Sequence, residues 1–447
     1  MAGRQPGLRA GAEGWVARLS VSRVRRRLSH TMQRLLQVVL LDGFAAVLLC
    51  LSALWSRRAQ ARTPQVIWGP TPLKPIAWNS RALRQAGIAS WTSVDTLYPI
   101  NRVEDFDEYL DNFVPSVPFL GMTLGRAGRY IGRYVRFHSL LHRCNVFITC
   151  FDGGFLRSTN LRFLEHVFLR LGKKKLIVWP YGADSYVPSR MRDAPYRDGL
   201  LADYPQLAQI ERHTLRQLRY FSKHADFIVG NVPHDEALAR KDVLTIACYC
   251  LDTGEWSPAS DFRHSGDGTR AKPSVRIFHC PNHRNVKGTA YFVAASEALR
   301  REGFNVELDS AEQVSNDEIR VRMQTADIVA AQCLYGYAST ELEAMSLAKP
   351  VLSNLENPYY YDRLRQQSFF RFCPVVSVTP ETLQMALRQL VLDPSLRAQL
   401  GAQGRQYVEQ FHSLPAQAKF WQDVITCAWD NTAVTDIQYW WKASLRP

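Results

Sequence analysis

VRIFHCPNHRNVKGT (Val275–Thr289) and YGYASTELEAMSLAKPVLSN (Tyr335–Asn354) decide how this chain is read. In the first, a β-branched run ends at His279. A short loop then gathers Asn282, His283, Arg284 and Lys287, and Gly288 opens a helical stretch. Donors collected at the carboxyl end of a strand, beside a helix amino terminus, suit a phosphate or diphosphate. Arg supplies a bidentate fork and Lys a point charge. The plainer reading of the same residues is a solvated basic loop. In the second stretch Gly336 permits a close backbone approach, and Ser339/Thr340 are placed to cap a helix whose first turn holds Glu341 and Glu343. A carboxylate facing a cleft accepts two hydrogen bonds from vicinal ribose hydroxyls. Acids in a first turn also simply complement the helix dipole.

Outward from these motifs, the chain from Thr63 alternates β-branched runs with amphipathic stretches. Gln65–Trp68, Val146–Cys150, Lys175–Trp179 and Asp226–Gly230 predict buried strands, with helical periodicity over Leu161–Leu171 and Leu207–Phe221. The polar stretch 251–274 predicts a linker. Beyond it, strands over Val275–His279, Phe304–Leu308, Asp327–Ala331, Pro350–Ser353 and Val375–Val378 alternate with helices. Those helices are expected over Thr289–Arg301, Asp317–Thr325, Thr340–Leu347, Pro380–Leu392 and Pro394–Phe411. Such alternation means an α/β protein with parallel sheets covered on both faces. It divides the body into 63–250 and 275–412. Residues 413–447, with Trp421, Trp429, Trp440 and Trp441, are closing helices packed on something apolar. A cleft between two such units is the default ligand site.

With 447 residues, 46% hydrophobic and 21% charged, the chain has room for two or three domains and is neither fibrous nor a disulfide miniprotein. The formal charge of +14 is uneven: residues 1–62 hold 11 Arg against Glu13 and Asp42, net +9, leaving +5 for the rest. A basic arm on a nearly balanced body points to an anionic surface and away from a body-wide nucleic-acid footprint. Leu35–Trp55 is an apolar run of 21 residues, enough to span a bilayer. Asp42 interrupts it, at about 2.5–3.5 kcal/mol on insertion scales. Three readings stay open: a helix on the inner leaflet with arginines on anionic headgroups, a span, or a targeting leader with Met32 as an alternative start. The first is the working expectation, placing the protein in the cytoplasm, peripheral or N-terminally anchored at the inner face of the membrane. Nine Cys with no CxxC pair fit free thiols in a reducing compartment. Cys248, Cys250, His279 and His283 are a weaker metal set, because one residue between the cysteines is tight for zinc. Asp105-Phe-Asp107 lies in an acidic, helix-like stretch with no strand before it, and is read as a solvated face.

H-x-P-N-H-R-x-x-K-G-T followed by T-x-L-E-A-M-x-x-x-K-P-V resembles the carboxyl-terminal domain of GT-B fold glycosyltransferases, and in particular retaining family 4. The resemblance covers about 380 residues, Thr63 to the end. It implies GT-B architecture: two Rossmann-like domains facing a central cleft, the amino-terminal one for the acceptor, the carboxyl-terminal one for a nucleotide-sugar donor. It also implies that the last helices cross back to the first domain. Lys287 and Arg284 match the residues that hold the donor diphosphate, and Glu343 matches the one that holds the ribose. Trp179-Pro-Tyr-Gly-Ala-Asp184 resembles the family's H-G-S-D loop, with Tyr181 where that loop has His. The family's first motif glutamate is replaced by Tyr335.

The expected activity is therefore sugar transfer, of hexosyltransferase type, to a lipid-linked or cell-surface polysaccharide acceptor, with retention of configuration. No metal and no cofactor are expected. Arg284, Lys287 and the backbone N–H groups near Ser339/Thr340 would carry the charge of the departing diphosphate. Asp184 or Asp152 would position or deprotonate the acceptor hydroxyl. His279, Asn282, Gly288, Tyr335 and Gly336 complete the expected donor pocket. The alternatives are a GT-B-like sugar-nucleotide epimerase and a non-catalytic scaffold with a decayed donor site.

Overall fold

The computed structural model describes residues 37–58, 62–98, 101–117, 122–123, 125–246, 249–258 and 274–432. The basic arm 1–36, Cys248, most of the expected linker, Trp440 and Trp441 lie outside the described residues. Strands in chain order are β1 Gln65–Trp68, β2 Ala89–Val94, β3 Glu108–Tyr109, β4 Ser116–Val117, β5 Met122–Thr123, β6 Val146–Thr149 and β7 Lys175–Val178. Then follow β8 Phe227–Val232, β9 Val243–Ile246, β10 Val275–His279, β11 Val306–Ser310, β12 Ile328–Gln332, β13 Val351–Ser353 and β14 Val376–Ser377.

They form two all-parallel sheets, of order β3-β2-β1-β6-β7-β8-β9 and β11-β10-β12-β13-β14, with β4 and β5 as a separate antiparallel pair. Parallel strands need helical crossovers on both faces, so these strands are short, continuous apolar runs. In the first lobe Val66, Trp68, Ile148 and Trp179 face one side of the sheet, and Ile67, Phe147 and Val178 the other. Helices Gly125–Arg143, Glu165–Leu171 and Gln206–His224 cover the second side.

The first side is closed from a distance. After helix Pro394–Phe411 the chain turns at His412–Ser413, where Leu251 N donates to the His412 carbonyl at 2.9 Å. Helix Leu414–Asp430 then packs along Lys74–Gln85 of the first lobe. It drives Trp421 against Trp68, with ring centroids 4.7 Å apart, and Trp179, 6.3 Å apart. The crossing back is thus a property of the fold, and an aromatic cluster holds it.

Two expectations are corrected. Val103–Asp111 is not helical: it forms a 3-10 turn, the edge strand β3 and the start of a second 3-10 turn. Asp105 pairs with Lys74 at 2.6 Å, while Asp107 accepts from Thr92 N and Oγ1 at 2.8 and 2.9 Å. Asp105 and Asp107 thus tie the sheet edge, while Glu104, Asp107 and Asp111 stay exposed, so the stretch keeps a solvated face without being a helix. Second, of the three readings of Leu35–Trp55, the span does not fit the described residues, which begin at Gln37. A π-helical turn over Gln37–Asp42 leads into helix Gly43–Ser56, which lies against Gly125–Arg143 and Glu165–Leu171. No helix among the described residues is long and apolar enough to cross a membrane.

Trp421 is fully buried, and its truncation empties the seam between the crossing helix and the first sheet. Trp421→Ala should lower stability by about 3–5 kcal/mol, read as a shift in the urea unfolding midpoint.

Candidate active site in the interlobe cleft

In an open parallel sheet, ligands gather where the strand order reverses, beyond the carboxyl ends of the strands. The first sheet reverses between β1 and β6, the second between β10 and β12. Both reversals feed the site. Thr71 follows β1, Asp152 follows β6, Cys280 to Gly288 follow β10, and Cys333 to Gly336 follow β12.

The donor half is built around Lys287. It ends the short helix Arg284–Lys287 and is only 8% exposed, yet no ion pair holds it among the described residues. Its Nζ donates to Thr340 Oγ1 at 3.3 Å. Thr340 lies in helix Ser339–Ser346, one turn before Glu343 on the same face. Burial pushes the Glu343 carboxyl up to about 8, against the pull of the Lys287 ammonium. Glu343 is half-buried and accepts no hydrogen bond among the described residues. Cys280, whose buried thiol is pushed up to about 11 while the Lys287 charge opposes that, completes the cluster.

Two glycines make this approach feasible. Gly288 has φ +73°, and a Cβ there would lie 2.4 Å from Cys333 Sγ. A Cβ on Gly336 would lie 1.4 Å from the Tyr361 hydroxyl oxygen. The two acids of the second motif separate in role. Glu341 is fully buried: its carboxylate accepts from Ala338 N at 2.9 Å, Gln332 Nε2 at 2.8 Å and Ser353 Oγ at 2.7 Å. It closes the helix start, so Ser339 and Thr340 are not the cap and their first-turn N–H groups are left free of it.

His279 is corrected. It is fully buried, its Nδ1 donates to the Ala330 carbonyl at 2.7 Å, and its Nε2 accepts from Thr289 Oγ1 at 2.9 Å. Burial pulls it down to about 4, so it is a neutral core residue with both nitrogens engaged. Asn282 is exposed. Arg284 is exposed and pairs with Glu312 at 2.7 Å, beside the cleft and not in the Lys287 cluster. Tyr335 stacks on Tyr196 at 4.7 Å, and its hydroxyl lies 3.1 Å from His234 Nε2. The residue standing where an acid was expected is spent on lobe contact.

On the first lobe, Asp184 is 6% exposed and saturated: Phe151 N donates at 2.9 Å, and Tyr181 N and Gly182 N each at 3.0 Å. Burial, with the Asp152 charge behind it, pushes it up to about 8. Asp184 therefore ties the β6 loop to the β7 loop. The Asp152 side chain is 24% exposed; it accepts from Thr71 Oγ1 at 2.8 Å and Arg157 Nη1 at 2.8 Å. Burial raises its pKa above the usual carboxylate range.

A cleft of about 760 Å³ runs between the lobes, lined by Lys74, Trp78, Tyr98 and Arg102 on one side and by Trp256 and Gln313 among others on the other. Lys74 and Glu255, both of its lining, act electrostatically on Glu343, but neither Glu343 nor Lys287 is among the residues that line it. The lobes also meet through Asp203, which accepts from Asn285 Nδ2 and Val286 N, both at 2.8 Å. Sequence reasoning missed Cys280, Trp78, Tyr98 and Asp203, because nothing local marks a residue that meets its partner across a cleft.

No protein-family model matches the chain, and no curated protein matches its sequence. Solved structures do resemble it. Anabaena Alr3699/HepE in complex with UDP-glucose superposes with a TM-score of 0.50 at 9% identity, over 81% of this chain and 99% of that one. The catalytic domain of starch synthase IV from Arabidopsis thaliana bound to ADP and acarbose gives 0.52 at 10% identity, over 82% of this chain and 100% of that one. At such identities the likeness speaks for the fold, and the fold is GT-B, as the paired motifs led us to expect.

The Glu343 carboxyl keeps its proton in the folded protein to about pH 8, while an unfolded carboxyl releases it in the ordinary range. Its contribution to stability is therefore present at low pH and lost as pH rises toward 8. Glu343→Gln cannot ionise, so the variant's thermal midpoint should gain on the parent's as pH is raised from about 5 to 9.

Proposed function

We propose that the protein is a glycosyltransferase that moves a sugar from a nucleotide-diphosphate donor to an acceptor hydroxyl. The observation that carries this is Lys287: a nearly buried ammonium at a strand-order reversal, with no ion pair among the described residues and a half-buried carboxyl in its field. A charge so placed is costly unless an anion completes it, and a diphosphate is such an anion.

The chemistry follows from the groups at hand. The anomeric carbon–oxygen bond to the diphosphate breaks, and the acceptor oxygen bonds to that carbon. Lys287, the first-turn N–H groups of Ser339 and Thr340, and Arg284 once drawn from Glu312 stabilise the charge that collects on the departing phosphate. Glu343 accepts from the ribose hydroxyls. Asp152, more exposed than Asp184, takes the proton of the acceptor hydroxyl, while Asp184 fixes the loop that carries it. In this reading the diphosphate charge is met by the protein without a metal ion. We further infer retention of configuration and a lipid-linked or cell-surface polysaccharide acceptor. The resemblance of the donor motifs to a retaining family supports the first, and the basic amino-terminal arm supports the second.

Isothermal titration should show binding of at least one nucleoside diphosphate, tested across UDP, ADP and GDP; no heat with any of them by the folded protein would sink the proposal. Lys287→Ala should lower turnover by about 10²–10³-fold, measured as diphosphate release. Because Lys287 is buried, thermal unfolding of the variant is read alongside to separate lost chemistry from lost fold. Turnover should persist in EDTA.

A further inference from the structure

Helix Gly43–Ser56 is apolar around most of its circumference, and the fold uses one side of it. Ala45, Leu49, Ser52, Ala53 and Ser56 are buried, against helices Gly125–Arg143 and Glu165–Leu171. Both ends are fastened. Asp42 is 2% exposed, and its carboxylate accepts from Tyr130 OH at 2.9 Å, Tyr134 OH at 2.7 Å and Asn160 Nδ2 at 2.6 Å. At the other end Arg57 Nε donates to the Leu171 carbonyl. Asp42 is thus not a charge to be carried into a bilayer but the clamp that lays the helix flat along the first lobe.

The unused side carries Leu40, Phe44, Val47, Leu48, Leu51, Leu54 and Trp55, each between 44% and 64% exposed. Steps of three, four and seven put them in one stripe. Single exposed apolar residues are ordinary, whereas a contiguous stripe marks a contact surface. Charge says which contact. Arg58 stands 5.2 Å from the Trp55 ring centroid at the end of the stripe, and Arg57 and Arg62 are exposed beside it. Ahead of the stripe, the sequence holds Arg23, Arg25, Arg26, Arg27 and Arg34, with no acid between Glu13 and Asp42. A second copy seated on this face would pair two chains whose first 62 residues each carry net +9. Lipid phosphates attract them. Trp beside Arg, at the end of an apolar stripe, suits the boundary between headgroups and acyl chains.

We propose that this stripe is a membrane-docking surface. The helix lies in the plane of an anionic bilayer, its apolar side sunk to the acyl boundary, its flanking arginines on lipid phosphates, and the first lobe held against the membrane. The proposal does not depend on the transferase reading, and its test uses no sugar nucleotide, so the two can fail separately.

The full chain is floated with phosphatidylcholine vesicles, with and without phosphatidylglycerol. It should float with the anionic vesicles, less so at high salt. The combined variant Phe44→Ser, Val47→Ser, Leu51→Ser should lose at least about tenfold in partitioning, with thermal unfolding little changed because these side chains touch the solvent side only. Arg58→Glu should reduce the preference for anionic vesicles. Failure of the full chain to float overturns the proposal, as does flotation unchanged in the triple variant, which would assign binding to the arm alone. A dimer that becomes monomeric in the triple variant, without flotation of the parent, also overturns it in favour of a second copy.

Discussion

Lys287 is a cation that the fold has taken out of water without giving it an anion. A buried ammonium is tolerated where something supplies countercharge, and here Thr340 Oγ1 is the hydrogen-bond partner while the Glu343 and Glu341 carboxyls lie in the field of the ammonium. The surrounding structure is arranged to keep it there. Gly288 in the left-handed region turns the chain tightly over Cys333, and the Cys333 N–H takes the Lys287 carbonyl at 3.2 Å. Glu341 is drawn inward by three donors, while Glu343 stays half-buried with no hydrogen bond among the described residues. A parallel sheet buries both faces, so the carboxyl ends of its strands are where such polar groups collect.

The two lobes are joined by more than the cleft. Tyr335 on Tyr196, Asp203 on Asn285 and Val286, Asn357 Nδ2 on Asp193 at 2.6 Å and Tyr360 OH on Glu236 at 3.0 Å form a band of polar and aromatic contacts. Tyr196, Val286 and Tyr360 are buried in it, and Tyr196 and Val286 share an apolar cluster with Met191, Leu200 and Leu207, so the band is part packed core and part polar contact. The chain crosses between lobes twice, at Leu251 and Ser413, which bridge to each other.

Much of the second lobe was legible because its signals are local. β10, helix Thr289–Arg301 and helix Pro394–Phe411 begin and end where periodicity, Gly and Pro place them. β2, ASWTSV, was not legible. Two of its hydroxyls meet partners remote in sequence, Ser90 Oγ taking Trp68 Nε1–H at 3.1 Å and Thr92 Oγ1 donating to Asp107, so it lacks an apolar run. Val103–Asp111 misled for a related reason: its acids are spread like those of a helix face, but Lys74, Thr92 and Arg84 hold them in turns. At the site, Lys287, Gly288, Thr340 and Glu343 share two short motifs and could be named together. His279 was misassigned, because a histidine ending a strand looks the same in sequence whether its ring faces a ligand or Thr289.

By itself the sequence determined the α/β class, the pairing of a basic loop with an acidic helix start, and the uneven charge, because each depends on residue type and spacing within one or two elements. Only the tertiary structure decided that Glu341 is fully buried and Glu343 only partly, that Asp184 is held by three backbone donors while the Asp152 side chain stays 24% exposed, and that Asp42 clamps a helix lying along the body. Those outcomes hang on which distant donor reaches a carboxylate first, and that is set by how the strands order themselves and how the lobes close.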